Sequence, residues 1–151
     1  MTKRYYSGIL LAASMKLLNR DTDYAVKALL YITQNNPKRM SVPELVKALD
    51  IPRPFLRKIL QILNREGVLN SFRGKGGGFV LAVPPEEILL TQMIDIFQKP
   101  LKLTECIFKE KICSEVRTCP LKTRIDAIEQ HVISELESIT IDSLLKEDLS
   151  S

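Results

Sequence analysis

The 151-residue chain has no tryptophan, a single histidine (His131), only six glycines, no low-complexity tract and no internal repeat. No run approaches the roughly 20 consecutive apolar residues that span a membrane. With one histidine on an amphipathic stretch, no nucleophile motif and no metal site with evident substrate access, an enzyme is not expected. Cysteine is also scarce. Three residues are an odd number and too few for a disulfide scaffold, which points to a reducing, cytoplasmic setting. What remains is globular in composition, 45% hydrophobic and 26% charged, and long enough for one domain or a small domain with an added element.

Met1–Ser14 places Lys3 and Arg4 ahead of the apolar run Ile9–Ala13, an outline that imitates a secretion signal. That run is short, and residues 1–14 read as an extension before a better-patterned segment opening at Met15. The net charge of +4 hides a segregation. Residues 1–85 hold 14 Lys/Arg against 5 Asp/Glu, whereas residues 86–151 hold 8 against 13. A basic front half is suited to a polyanion; chance segregation of solvated charges is the alternative.

Periodicity organises the front half. Asp21 or Thr22 is positioned to cap a helix whose stripe is Ala25, Ala28, Leu29 and Ile32. Ser41 and Glu44 form a capping box ahead of Val42, Leu45, Val46 and Leu49. Pro52 and Pro54 open a third helix, with Phe55, Leu56, Ile59, Leu60 and Leu63 as its buried face and Gly67 as its stop. Two strand-like runs follow, Val68–Phe72 and Phe79–Val83, around the basic, glycine-rich tip Arg73–Gly78. Three helices and a hairpin spell a winged helix-turn-helix over residues 15–85. The glycine tip lacks the GxxxxGK[ST] spacing of a phosphate-binding loop, and no helix follows it.

The third helix would enter the major groove, which nominates Arg53, Arg57 and Lys58 to meet bases or phosphates. Arg73 and Lys75 at the wing tip suit a narrow, electronegative minor groove, with Ser71 and Lys38 as further phosphate contacts. Taken singly, Arg53, Arg57 and Lys58 read better as ordinary solvated helix charges; together on one outward face they point to DNA.

Residues 86–151 carry a short helix near Thr91–Phe97, a cysteine loop and a long helix from Pro120. The apolar positions Leu121, Ile125, Ile128, Val132, Leu136 and Ile139 step at close to 3.5 residues, as in a coiled-coil seam. The rod of about 28 Å is a dimerisation helix or packs back on its own domain. Cys106, Cys113 and Cys119 all fall within 14 residues. Clustered thiolates select soft metals, an iron–sulfur cluster ahead of zinc because the gaps are too wide for a CxxC knuckle. The plain alternative is three small buried side chains. Glu105, Glu110 and Glu115 are nearby carboxylates, while His131 lies well along the rod and reads as a solvated helix residue.

These residues resemble the IscR/NsrR-type family of winged-helix regulators over about Met15 to Leu145. The resemblance rests on Thr22-Asp23-Tyr24-Ala25-Val26 and on Ile51-Pro52-Arg53-Pro54-Phe55-Leu56. It continues in Gly67–Gly74 with Gly76-Gly77-Gly78-Phe79, in the cysteine trio and in Ser138–Ile141. It implies a homodimer joined through the long helix, a palindromic duplex operator, and a 2Fe–2S or 4Fe–4S cluster on Cys106, Cys113 and Cys119. The histidine ligand of some members falls at Lys122 here. The aspartate that another branch donates from the opposite subunit matches Asp23, which is equally an ordinary helix-start carboxylate. Departures are a first cysteine gap of six residues where five is usual, and the extension before Met15.

The expectation is therefore a mainly α protein with a small β-hairpin, a winged helix-turn-helix plus a long C-terminal dimerisation helix. Its function would be sequence-specific repression switched by an iron–sulfur cluster that senses redox state, nitric oxide or cluster supply. The alternatives are a cluster-free or zinc-stabilised repressor sensing a metabolite or thiol state, and a winged helix used for protein contact.

Overall fold

A computed structural model describes residues 16–98, 100–102 and 119–149. The order of elements is α1 (Arg20–Gln34), α2 (Val42–Leu49), α3 (Arg53–Arg65), β1 (Leu69–Phe72), β2 (Gly78–Leu81), a 3-10 turn (Pro85–Glu87), α4 (Leu90–Phe97), α5 (Pro120–Glu137) and α6 (Ile141–Leu149). The mainly helical fold with one antiparallel hairpin is the winged helix expected from the sequence. Among the described residues, no helix is long and apolar enough to cross a membrane.

The core forms where the predicted stripes converge. Ala25, Ala28, Leu29 and Ile32 of α1 meet Leu45 of α2 and Leu56, Ile59, Leu60 and Leu63 of α3, all buried. Ile88, Met93 and Ile141 join the same cluster from the second half of the chain. A satellite cluster sets Leu90 and Ile94 of α4 against Leu136 of α5, with Leu18, Val132 and Ile139 at its margin.

Two sequence expectations are corrected. The N-cap of α1 is Asn19, whose side chain accepts from the Thr22 N–H, rather than Asp21 or Thr22. Thr22 is fully buried and its hydroxyl donates instead to Gln98 Oε1 at 3.0 Å. Phe55 is not part of the buried face of α3. It is 45% exposed, with the Arg20 guanidinium 5.6 Å from its ring centroid. Phe55 shares a helical face with buried Ile59 but sits in the first turn of α3, one turn before it, where the Arg20 cation from α1 lies against its ring.

Local signals elsewhere hold. Gly67 (φ +76) ends α3, with the Val68 N–H donating to Leu63 O at 2.9 Å and the Gly67 N–H to Asn64 O at 3.2 Å. In the capping box, the Ser41 N–H donates to Glu44 Oε2 at 2.9 Å, and the Glu44 N–H to Ser41 Oγ at 3.4 Å. The donated Ser41 N–H, foremost, with the Ser41 hydroxyl and Lys38, holds the Glu44 carboxyl down at about 2.

The wing pairs Leu69 with Leu81 and Phe72 with Gly78 at its ends. A third backbone segment anchors it: the Met40 N–H donates to Phe79 O and the Phe79 N–H to Met40 O, both at 2.9 Å. Gly78 (φ +150) makes this approach possible, since a Cβ there would lie 2.7 Å from Met40 O.

Gly78→Ala is expected to cost about 1–3 kcal/mol through strain and lost wing anchorage, read as a lowered Tm; an unchanged Tm would refute the anchoring role. For Glu44 the sign follows from its depressed pKa. Its contribution to stability is present above the ordinary value near 4.5 and is lost as pH falls toward about 2. Denaturant titrations of wild type and Glu44→Gln across that window should therefore converge on acidification.

Candidate nucleic-acid interface

Burying one side of α3 turns the other to solvent. Arg53, Arg57 and Lys58 are exposed on that helix, and Ser71, Arg73 and Lys75 are exposed on the wing. None of these six side chains has a hydrogen bond or ion pair among the described residues. Other basic residues nearby are already engaged. Lys27 pairs with Asp23, Arg65 with Glu66, and Arg39 lies over the Phe72 ring at 3.9 Å. Lys38, nominated alongside the others, is bound to Glu44 Oε1 at 2.9 Å, and that hydrogen bond raises its pKa. It stands at the rim of the surface as part of an ion pair rather than as an unpaired cation.

The structure gathers Arg57 and Arg73, nominated from two separate elements, around one cleft. Arg57, Gln61 and Asn64 of α3 face Ser71, Phe72 and Arg73 of the wing across a space of about 420 Å³. Gln61 and Asn64 were not singled out from the sequence. The signal was present: residues 57, 61 and 64 fall at i, i+4 and i+7, one helical face about a third of a turn round from the buried stripe of Leu56, Ile59, Leu60 and Leu63. Arg39 was likewise missed, because its role depends on a ring 33 positions away.

The cysteine segment lies mostly outside the described residues, Cys106 and Cys113 included. Cys119 is described: it occupies the N-cap position of α5, is partly exposed, and is a free thiol. Asp23 stands in the first turn of α1 and accepts from Lys27 Nζ through Oδ2 at 2.8 Å, an exposed pair. Among the described residues, its Oδ1 has no further hydrogen bond. Among the described residues, no three His, Cys, Asp or Glu side chains gather around a metal position.

A polar latch joins these regions. Gln98, which ends α4 just ahead of the cysteine segment, accepts from the Asn19 N–H (2.9 Å) and from the Thr22 hydroxyl. Its amide donates to Leu17 O at 3.1 Å, and Asn19 Nδ2 donates to Phe97 O at 2.8 Å. The N-terminus of α1 is thus tied to the end of α4.

Comparison with known proteins gives one answer at several levels. The family model Rrf2, described as an iron-dependent transcriptional regulator, matches residues 18–147. The protein aau3 of Rhizobium meliloti is 33% identical over 130 residues, covering 85% of this chain and 84% of that protein. A relative from Aquifex aeolicus, named among HTH-type transcriptional regulators, is 36% identical over 115 residues, 76% of each chain. Among solved structures, IscR of T. potens superposes with a TM-score of 0.68 at 21% identity, covering 89% of both chains. CymR (YrzC), the global cysteine regulator of B. subtilis, superposes with a TM-score of 0.71 at 20% identity, covering 88% of this chain and 98% of that one. With an unpaired basic surface on a winged helix and a family match across most of its length, the chain belongs to the Rrf2 family: it is a DNA-binding transcriptional regulator and not an enzyme.

Proposed function

We propose that this regulator binds a palindromic duplex operator as a homodimeric repressor in the cytoplasm, and that an iron–sulfur cluster at the cysteine segment sets its operator affinity. The observation that carries this reading is Cys119, the last of three cysteines within 14 residues, placed at the head of α5. A free, partly exposed thiol there fits a thiolate ligand set, which favours soft metals and iron–sulfur clusters. The family's description as iron-dependent supports the same chemistry. Cys106, Cys113 and Cys119 would hold the cluster, with the partner subunit's Asp23 completing the set. Bound there, a 2Fe–2S or 4Fe–4S cluster supplies a centre that responds to redox state, nitric oxide and cluster availability.

The chain's own residues provide the route from that segment to DNA. Gln98 holds the N-terminus of α1, and Arg20 at the first position of α1 rests on Phe55 in the first turn of α3. A change at the cysteine segment that loosens the Gln98 latch repositions the start of the recognition helix. Its effect on operator affinity is bounded by the difference in cluster binding between the two arrangements.

Dimerisation through α5 is supported by its divided stripe. Leu136 is buried against α4, with Val132 and Ile139 beside it. Leu121 and Ile128 remain 67% and 56% exposed, which leaves the first half of the stripe for a second copy. Those two residues belong to the seam read from the sequence.

A second reading, a cluster-free or zinc-stabilised repressor responding to a metabolite or thiol state, draws on the likeness to the cysteine regulator CymR. The two readings separate cleanly. Anaerobically purified protein is expected to be coloured and to contain iron and acid-labile sulfide, both lost in Cys119→Ser. A colourless protein with stoichiometric zinc would establish the second reading instead. Cluster-loaded and cluster-free protein should differ in operator affinity at matched salt; equal affinities would remove the switch.

The dimer has its own test. Burying an isoleucine stabilises by about 1.5–3 kcal/mol, and a two-fold axis counts each position twice. Ile128→Glu should shift light-scattering mass from dimer to monomer while the far-UV spectrum is retained; a wild-type monomer would overturn the assembly.

A further inference from the structure

The cleft between α3 and the wing is open to solvent on one side and walled by a different protein element on each of two others. Its helix wall presents Arg57, Gln61 and Asn64, and its wing wall presents Ser71, Phe72 and Arg73. Gln61, Asn64 and Ser71 are exposed, and their side chains make no hydrogen bond among the described residues. Phe72 is held by Arg39 from the α1–α2 connection, and the wing itself by the Met40–Phe79 backbone pair. These contacts tie the wing wall to the connection that precedes α2.

When a recognition helix lies in the major groove and a wing in the adjacent minor groove, the object between them is one sugar–phosphate strand. A base edge lies on the floor of a groove and does not enter a recess closed on both sides by protein. We propose that this cleft seats a single backbone strand. The carboxamides of Gln61 and Asn64 and the hydroxyl of Ser71 donate neutral hydrogen bonds to its phosphate oxygens, and Arg57 and Arg73 flank it. Gln61 and Asn64 are then positioning residues: they set the register of helix and wing on the duplex without reading its sequence. This assignment rests on DNA binding by the winged helix.

Charge separates these contacts from those of the arginines. A cation that neutralises a phosphate releases condensed counterions and steepens the salt dependence, whereas a neutral donor adds affinity with no counterion release. The probes are a duplex that wild-type protein selects from a random pool, its single-base-pair variants, and an unrelated duplex of equal length. Wild type must bind with a steep dependence of log K on log salt; a flat dependence would remove the DNA-binding premise before any variant is compared. Gln61→Ala and Asn64→Ala are each expected to weaken binding by about 3–10-fold on every duplex alike, with the salt slope unchanged. Arg73→Gln should instead make the slope shallower by about one. Gln61→Glu keeps size and helix propensity but sets a carboxylate against phosphate, so it should lose more than the alanine variant. Melting temperatures at these exposed positions serve as the folding control. Relaxed discrimination at a single base pair would mean that the amides read a base, and unchanged affinity would mean that the cleft stays empty; either result overturns the proposal.

Discussion

The exposed basic surface proposed to meet DNA depends on how α3 is buried against α1. Four large side chains of α3, Leu56, Ile59, Leu60 and Leu63, are fully or almost fully removed from solvent. Each such burial is worth about 1.5–3 kcal/mol. Ala25 and Ala28 on α1 are small enough to admit the helix closely. A rigid helix with one face committed has no freedom over the other. Arg53, Arg57 and Gln61 therefore point outward as a consequence of packing, with no side-chain hydrogen bond or ion pair among the described residues.

The wing extends that logic. A two-stranded hairpin is marginally stable alone, so its direction must be fixed from outside. The Met40–Phe79 backbone pair, the Arg39–Phe72 contact and the glycine at position 78 supply that restraint from the α1–α2 connection. Val68 and Leu69 at the base of β1 are buried in the same core as α3. Helix and wing thus share one foundation.

The other end of α1 has a different task. Asn19 caps the helix and, with Thr22, engages Gln98, while Arg20 reaches Phe55. One helical turn therefore touches both the exit from α4 and the start of the recognition helix. The contacts are polar and few, so the junction can be altered at smaller cost than the apolar core beneath it.

The sequence by itself determined the features that arise within one turn or one strand pair. The stripes of α1 to α3, the Ser41–Glu44 box, the stop at Gly67 and the basic glycine tip are local in cause, and each stands where periodicity and spacing placed it. The exposure of Arg53, Arg57, Lys58, Ser71, Arg73 and Lys75 was legible because an amphipathic helix and a hairpin tip have only one solvent side. Tertiary structure decided what depends on partners far along the chain. Thr22 has a cap's chemistry but meets Gln98, 76 positions away, and so the cap falls to Asn19. Phe55 carries an apolar side chain but sits in the first turn of α3, where Arg20 lies against its ring. The cleft lined by Gln61, Asn64 and Ser71 exists only once helix and wing are fixed to the same core, because spacing along a chain encodes the faces of elements and not the distance between them.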